Sequence, residues 1–259
     1  MTTKNITFEF VPENFDEFRR KLKDLTRLSD NIKLSITDDK IFIYSILGSS
    51  QIVLAMKSYQ LDRIDFIESN NSIEHTIDCI ILGAKKFVKN IDFVKTNEKI
   101  KCKVTYKIFD DDRTEVRQFQ LTSGKLKLKV ETGDRNEIKN ITKEQMNETL
   151  DPSKKEWSFD VNESDFTDIS KLSKINTDES KRILNINAEN NTVKLSEDGL
   201  WEMEVADTDQ PDSHIMINKN HLPMIDTSGT DITFNVFRNF IFVEGENSKL
   251  MISFEQTFN

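Results

Sequence analysis

Cysteine, glycine and histidine are scarce in this chain, and each shortage removes a class of proteins. Two cysteines, Cys79 and Cys102, among 259 residues are too few for a disulfide scaffold, which needs more cysteines in a shorter chain. Both lie in alternating apolar patterns, so each reads as a reduced thiol inside a strand. The seven glycines, at 48, 83, 124, 133, 199, 229 and 245, stand far apart. Neither a dinucleotide fingerprint nor a P-loop can be built from them, and there is no Gly-X-Ser-X-Gly elbow. His75, His214 and His221 have no spacing suited to zinc. The acidic clusters 110–112 and Asp207, Asp209 and Asp212 lack the glycine and the distal glutamate of a calcium loop, so solvated hairpin tips are expected. No metal or cofactor is expected, and nothing marks a catalytic nucleophile or base. Apolar runs are only a few residues long, against the roughly 20 that a membrane span needs, and the N-terminus has no leader pattern. These absences imply a non-enzymatic protein that is neither exported nor inserted in a membrane.

What is present is charge and alternation. The net charge of -9 argues against a surface coated for nucleic acid, though it leaves room for a local basic face. A mean hydropathy of -0.54 fits much half-exposed sheet. The stretch 8–28 organises the rest: an alternating strand, a turn through Pro12, then a helix with Phe15, Phe18, Leu22 and Leu25 on one side. At 100° per residue the opposite side holds Arg20, Lys23 and Arg27, with Arg19 and Lys21 on its flanks. The construction returns at 159–174 in constant register. Phe8 and Phe159 are 151 positions apart, as are Phe10 and Val161, Phe15 and Phe166, Phe18 and Ile169, and Ile32 and Ile183. One fold unit has been used twice.

Further strands with polar breaks fill the first half. A second helix opens at residue 84 with Phe87, Ile91 and Val94 inward, Lys85 and Lys89 outward and Lys86 nearer the edge. The stretch 124–130 reads as a last strand, with Lys125, Lys127 and Lys129 on one face and Leu126, Leu128 and Val130 on the other. Residues 134–156 lack alternation and form the expected linker between domains at 1–133 and 157–259. In the second half a helix at 163–175 carries Lys171 and Lys174, and a short helical segment cut by Pro223 carries Lys219. The fold class is α+β: two similar domains, each with two helices packed on antiparallel sheets.

Element order and the segments FDEFRRKLKDL, EWSFDVNESDFTDISKLSKI, NNTVKLSEDG and FIFVEGENSKLMISFE together resemble the DNA sliding clamps. These are the ring-shaped processivity factors of DNA polymerases, and the likeness is to the two-domain trimeric type of T4-like bacteriophages and proliferating cell nuclear antigen. The resemblance covers almost the whole chain and rests on pattern. The Asn-rich, alanine-poor composition points to a viral clamp, in the cytoplasm of an infected cell; a cellular one would be cytoplasmic or nuclear. The resemblance implies a homotrimeric ring on double-stranded DNA, a DNA polymerase as client, and a clamp loader to open the ring. It implies that Arg20, Lys23, Arg27, Lys85, Lys86, Lys89, Lys171, Lys174 and Lys219 face DNA, while an acidic exterior keeps DNA from the outer wall. Ring closure would pair 124–130 with an edge strand at 192–196 of the next subunit, packing Leu126, Leu128 and Val130 on Val193 and Leu195, with Glu197 and Asp198 answering the lysines. Partners would dock near Ile46, Leu47, Ile52, Phe254 and Phe258. The chief rival reading is a duplicated β-rich structural or interaction protein, such as a virion component. An enzyme assembled from scattered carboxylates is the other.

Overall fold

The computed structural model describes residues 2–10, 12–37, 40–48, 52–60, 64–66, 76–94, 100–111, 113–134, 143–175, 182–210, 212–227 and 229–255. The chain forms two units, one made of Met1–Ile46 and Met56–Asn140, the other of Leu47–Ala55 and Ile141–Asn259. Antiparallel sheets dominate both, and the fold is α+β.

From the N-terminus β1 (Thr2–Phe10) leads into α1 (Pro12–Leu25), then β2 (Ile32–Ile36), β3 (Lys40–Gly48), β4 (Ile52–Gln60), β5 (Ile64–Phe66) and β6 (Ile77–Ile81), all of the first unit except the end of β3 and the start of β4. After α2 (Ala84–Ile91) come β7 (Ile100–Ile108), β8 (Thr114–Ser123), β9 (Leu126–Val130) and the two-residue β10 (Thr132–Gly133). One sheet has the order β5-β1-β7-β8-β9, and β10-β6-β2-β3 run side by side in another. Period-2 alternation decides which side of each strand enters the core: Ile100, Cys102, Val104 and Tyr106 of β7 are buried. Phe15, Phe18, Leu22 and Leu25 of α1 are wholly buried, each contributing about 1.5–3 kcal/mol by leaving water. Cys79 and Cys102 are free and buried, as expected. Burial pushes both thiols up, and the Asp78 carboxylate adds to the effect at Cys79, so neither is a nucleophile.

The two helices of this unit pack together. α1 stops where Arg27 and Leu28 donate three residues back, to Asp24 and Leu25, tightening the last turn. Asp30 then caps α2: its backbone carbonyl accepts from Ala84 N at 2.6 Å and its carboxylate from Lys85 N at 2.7 Å. Gly83 before α2 has φ +60°, a left-handed conformation that glycine adopts without strain.

In the second unit α3 (Lys143–Thr149) precedes β11 (Lys155–Val161), α4 (Glu163–Ile175), β12 (Ile183–Glu189), β13 (Thr192–Glu197), β14 (Trp201–Asp207) and β15 (Ser213–Asn218). A 3-10 segment, Lys219–Met224, is followed by β16 (Ile232–Phe237), β17 (Phe240–Gly245) and β18 (Ser248–Ser253). One sheet has the order β14-β13-β12-β15, and β18-β17-β16-β11 run side by side in another. Asn162 starts α4 reciprocally, accepting from Asp165 N at 2.9 Å and donating to the Asp165 carboxylate at 2.6 Å. The repeat read from sequence reappears in the elements. α1 and α4 begin at residues 12 and 163, and β2 and β12 at 32 and 183, so both pairs are 151 apart.

Two elements differ from expectation. The segment with Pro223 is a 3-10 turn, because proline lacks the donor that an α-helix needs there. The strand at 192–196 is no edge: β13 is bonded to β12 on one side and β14 on the other.

Candidate nucleic-acid interface

Five of the nine expected DNA-facing cations stand on the exposed sides of α1 and α2. On α1 the residues opposite the buried Phe15, Phe18 and Leu22 are Arg20 and Lys23, both exposed. On α2 the buried set is Ala84, Phe87, Val88 and Ile91, leaving Lys85, Lys86 and Lys89 exposed. Arg27, just past the end of α1, is exposed and 3.9 Å from the Asp24 carboxylate. Arg19 is held by Asp16 at 2.8 Å and reaches Asp92 beside α2 at 3.6 Å. Lys21 is buried against Glu17 at 2.9 Å, so it is structural.

α2 is the most concentrated cationic element of the set: its eight residues include three lysines and no carboxylate. Lys89 lies in the last turn, where the helix dipole favours a cation. Lys85 and Lys86 lie in the first turn, which contains no acidic residue and where the dipole disfavours positive charge by about 0.3–1 kcal/mol per group. Helix stability therefore does not account for them. The Asp30 carboxylate at this terminus is an offsetting charge brought from outside the helix.

α4 presents a weaker basic face. Lys171 and Lys174 are exposed, but Lys171 is tied to Asp168 at 2.9 Å, and Glu163 and Asp165 occupy the first turn. Lys219 is a correction. It has 0% exposure and its ammonium lies 2.6 Å from Glu197 Oε2. Burial of so long a cation demands a paired carboxylate, and Glu197, itself 3% exposed, is that partner. Glu197 is thus unavailable to answer surface lysines. Asp198 accepts from Asn185 Nδ2 at 2.9 Å.

The subunit-contact residues also divide. Leu126 and Leu128 are half-buried on β9, an edge strand among the described residues, while Lys127 and Lys129 on its other face are exposed. Val130 is buried in its own unit. Val193 and Leu195 are a second correction, with no exposed surface at all, because β13 is an inner strand. Among the described residues the edge strands of that sheet are β14 and β15, and β14 has Glu202 and Glu204 exposed with Trp201, Met203 and Val205 half-buried on the other face. Lys194 on β13 lies 3.4 Å from Glu202, and that carboxylate holds the lysine ammonium above its ordinary range.

Of the expected partner-docking residues, Ile46 and Phe254 are half-buried and Leu47 is exposed. The side chain of Ile52 and the whole of Phe258 lie outside the described residues. On β7, in the middle of its sheet, Lys103 is exposed and Lys101 half-buried. Among the described residues no group of three or more metal-ligating side chains converges. No described helix is long and apolar enough to cross a membrane.

A cationic helix pair in the first unit, one cationic α-helix in the second and antiparallel sheets in both go with the overall likeness to the DNA sliding clamps, whose fold this chain has. The resemblance extends to bacterial clamps in particular. The DNA polymerase III subunit beta of Pseudomonas aeruginosa superposes with a TM-score of 0.64 at 8% identity, over 98% of this chain and 65% of that one. The DNA polymerase sliding clamp of Bacillus subtilis gives 0.64 at 11% identity, over 99% and 66%. The Helicobacter pylori beta clamp bound to a DNA ligase peptide gives 0.61 at 13%, over 98% and 67%. The chain spans about two thirds of the length of these clamps. No protein-family model and no curated protein sequence matches it.

Proposed function

We propose that the protein is a non-enzymatic DNA sliding clamp, a homotrimeric ring of viral origin that encircles duplex DNA and tethers a DNA polymerase. The observation that carries the reading is the cluster of Lys85, Lys86 and Lys89 beside Arg20 and Lys23, on helices that gain nothing from Lys85 and Lys86. Flexible cations that meet phosphates without touching base edges attract a duplex whatever its sequence, so moving along it costs little. Lys171 and Lys174 contribute less, since α4 carries its own carboxylates.

The ring closes, in this reading, by strand addition between β9 of one copy and β14 of the next. Both are edge strands among the described residues. Pairing them sets Lys127 and Lys129 beside Glu202 and Glu204 on the outer face, and Leu126 and Leu128 beside Trp201, Met203 and Val205 on the inner. Such a head-to-tail contact must close by rotation, and three copies is the closure proposed. A clamp loader opens the ring, and partners dock near Ile46, Leu47 and Phe254. Residues 1–133 and 157–259 act as the two clamp domains.

The test is processive synthesis on primed circular DNA with the cognate polymerase and loader. Reversing charge at Arg20, Lys23, Lys85 and Lys89 together abolishes the stimulation while the ring, weighed by light scattering against the 30.1 kDa chain, stays assembled. Undiminished stimulation by that variant refutes the assignment of the DNA-facing side.

A further inference from the structure

The start of β14 is held by a buried ionic staple. Glu197, the last residue of β13, is paired across the turn with Trp201, the first of β14. One carboxylate oxygen, Glu197 Oε2, accepts from Lys219 Nζ at 2.6 Å and from the Trp201 indole Nε1 at 3.3 Å. The turn between them closes with Leu200 N donating to Glu197 O at 3.0 Å. Asp198 in the same turn is tied to Asn185 of β12, and Asn185 Oδ1 lies 2.9 Å from His214 Nε2 of β15. Residues of β12, of β15 and of the segment that follows it thus converge on one short turn.

The fixed turn displays apolar surface. Leu200 is 52% exposed, and Trp201 is only half-buried although its indole N–H is already satisfied inside the fold. Tryptophan is the side chain most enriched at the energetic centres of protein contacts, above all when its rotamer is set in advance. A large apolar residue on an edge strand normally invites indiscriminate pairing. Here its indole donates to one member of a buried charge pair that an apolar core would not have required.

We propose that Trp201, with Leu200, is the anchor by which one copy of the chain grips β9 of the next, and that Glu197 and Lys219 are positioning residues that preset its indole. The proposal rests on the ring reading above. The occupant is a second copy because β9 supplies what the anchor lacks: a free edge, a half-buried Leu126 and Leu128 on the matching face, and exposed lysines opposite Glu202 and Glu204. Lys219, expected to meet DNA, serves assembly instead.

The test measures assembly and fold stability of the full chain side by side, by sedimentation equilibrium and thermal unfolding. Trp201→Ala weakens assembly about 30-fold or more. Trp201→Phe keeps an aromatic ring and the Glu197–Lys219 pair but lacks the N–H, and weakens assembly several-fold. A Glu197→Leu/Lys219→Met double variant, which replaces the ion pair by apolar packing, melts near the wild type yet assembles about tenfold more weakly. Wild-type assembly by Trp201→Ala, or by Trp201→Phe and the folded double variant together, overturns the proposal while leaving the ring intact. If the double variant does not fold, Trp201→Phe alone decides. A wild-type chain that stays monomeric at all concentrations overturns the ring reading along with it.

Discussion

Replacing Lys219 by methionine separates a structural cation from a DNA-binding one. In the native fold the Lys219 ammonium and the Glu197 carboxylate are both out of water, 2.6 Å apart. Methionine keeps most of the side-chain volume and removes the charge, leaving the Glu197 carboxylate buried beside only a weak indole donor at 3.3 Å and its other local contacts. Removing one partner of a buried pair costs about 3–5 kcal/mol, because the remaining charge is uncompensated. For a chain of this size that is a fall of roughly 6–20 °C in Tm. Adding Glu197→Leu removes the stranded charge and recovers most of the loss. Lys23→Gln and Lys89→Gln, on exposed helix faces, change stability by less than about 0.5 kcal/mol. Calorimetric and urea unfolding of these four variants beside the wild type decide the matter. A Lys219→Met variant within about 1 kcal/mol of wild type refutes the reasoning, since the pair would then have to be hydrated.

Two further outcomes follow from the same structure. Exchanging charge at the proposed closing edges, Lys127→Glu/Lys129→Glu alone or Glu202→Lys/Glu204→Lys alone, dissociates the assembly, whereas the quadruple variant reassembles; sedimentation reads this, and failure of the rescue counts against the β9–β14 register. His221 is buried, with no hydrogen bond to its Nε2, and desolvation holds its imidazole below the usual histidine range; the Arg182 guanidinium acts in the same sense and the Glu255 carboxylate opposes both. A depressed histidine means that the unfolded chain binds the proton first, so its contribution is complete above about pH 6.5 and is lost as pH falls below that value. Urea unfolding at pH 7.5, 6.5 and 5.5 should therefore show a steeper acid loss in wild type than in His221→Asn, and parallel profiles would contradict it.

The parts of the fold written in local pattern were legible in the sequence. Phe15, Phe18, Leu22 and Leu25 announce α1 because helical burial repeats at a fixed angle, and the 151-residue register marks the second copy because duplicated cores keep their spacing. The sides of α1 and α2 that bear Arg20, Lys23, Lys85 and Lys89 follow from the same geometry. Strand order is a non-local property, and there the reading failed. VKLSE alternates as well as WEMEVAD does, and nothing within either says which has a neighbour on both sides. Lys219 failed for a related reason: its partner Glu197 is 22 residues away and is brought to it only by the sheet. A lysine on a short segment without helical period gives no local sign of whether it points in or out.

The proposed ring holds DNA by surrounding it. The direct measurement is retention on a linear duplex whose ends are blocked after the protein has threaded on, washed at high salt and then cut by a restriction enzyme. High salt screens the lysine–phosphate attraction, so only a topological link survives the wash. The protein is expected to stay on the blocked duplex and to leave when the duplex is cut. Loss of the protein in the wash, or equal retention before and after cutting, contradicts it.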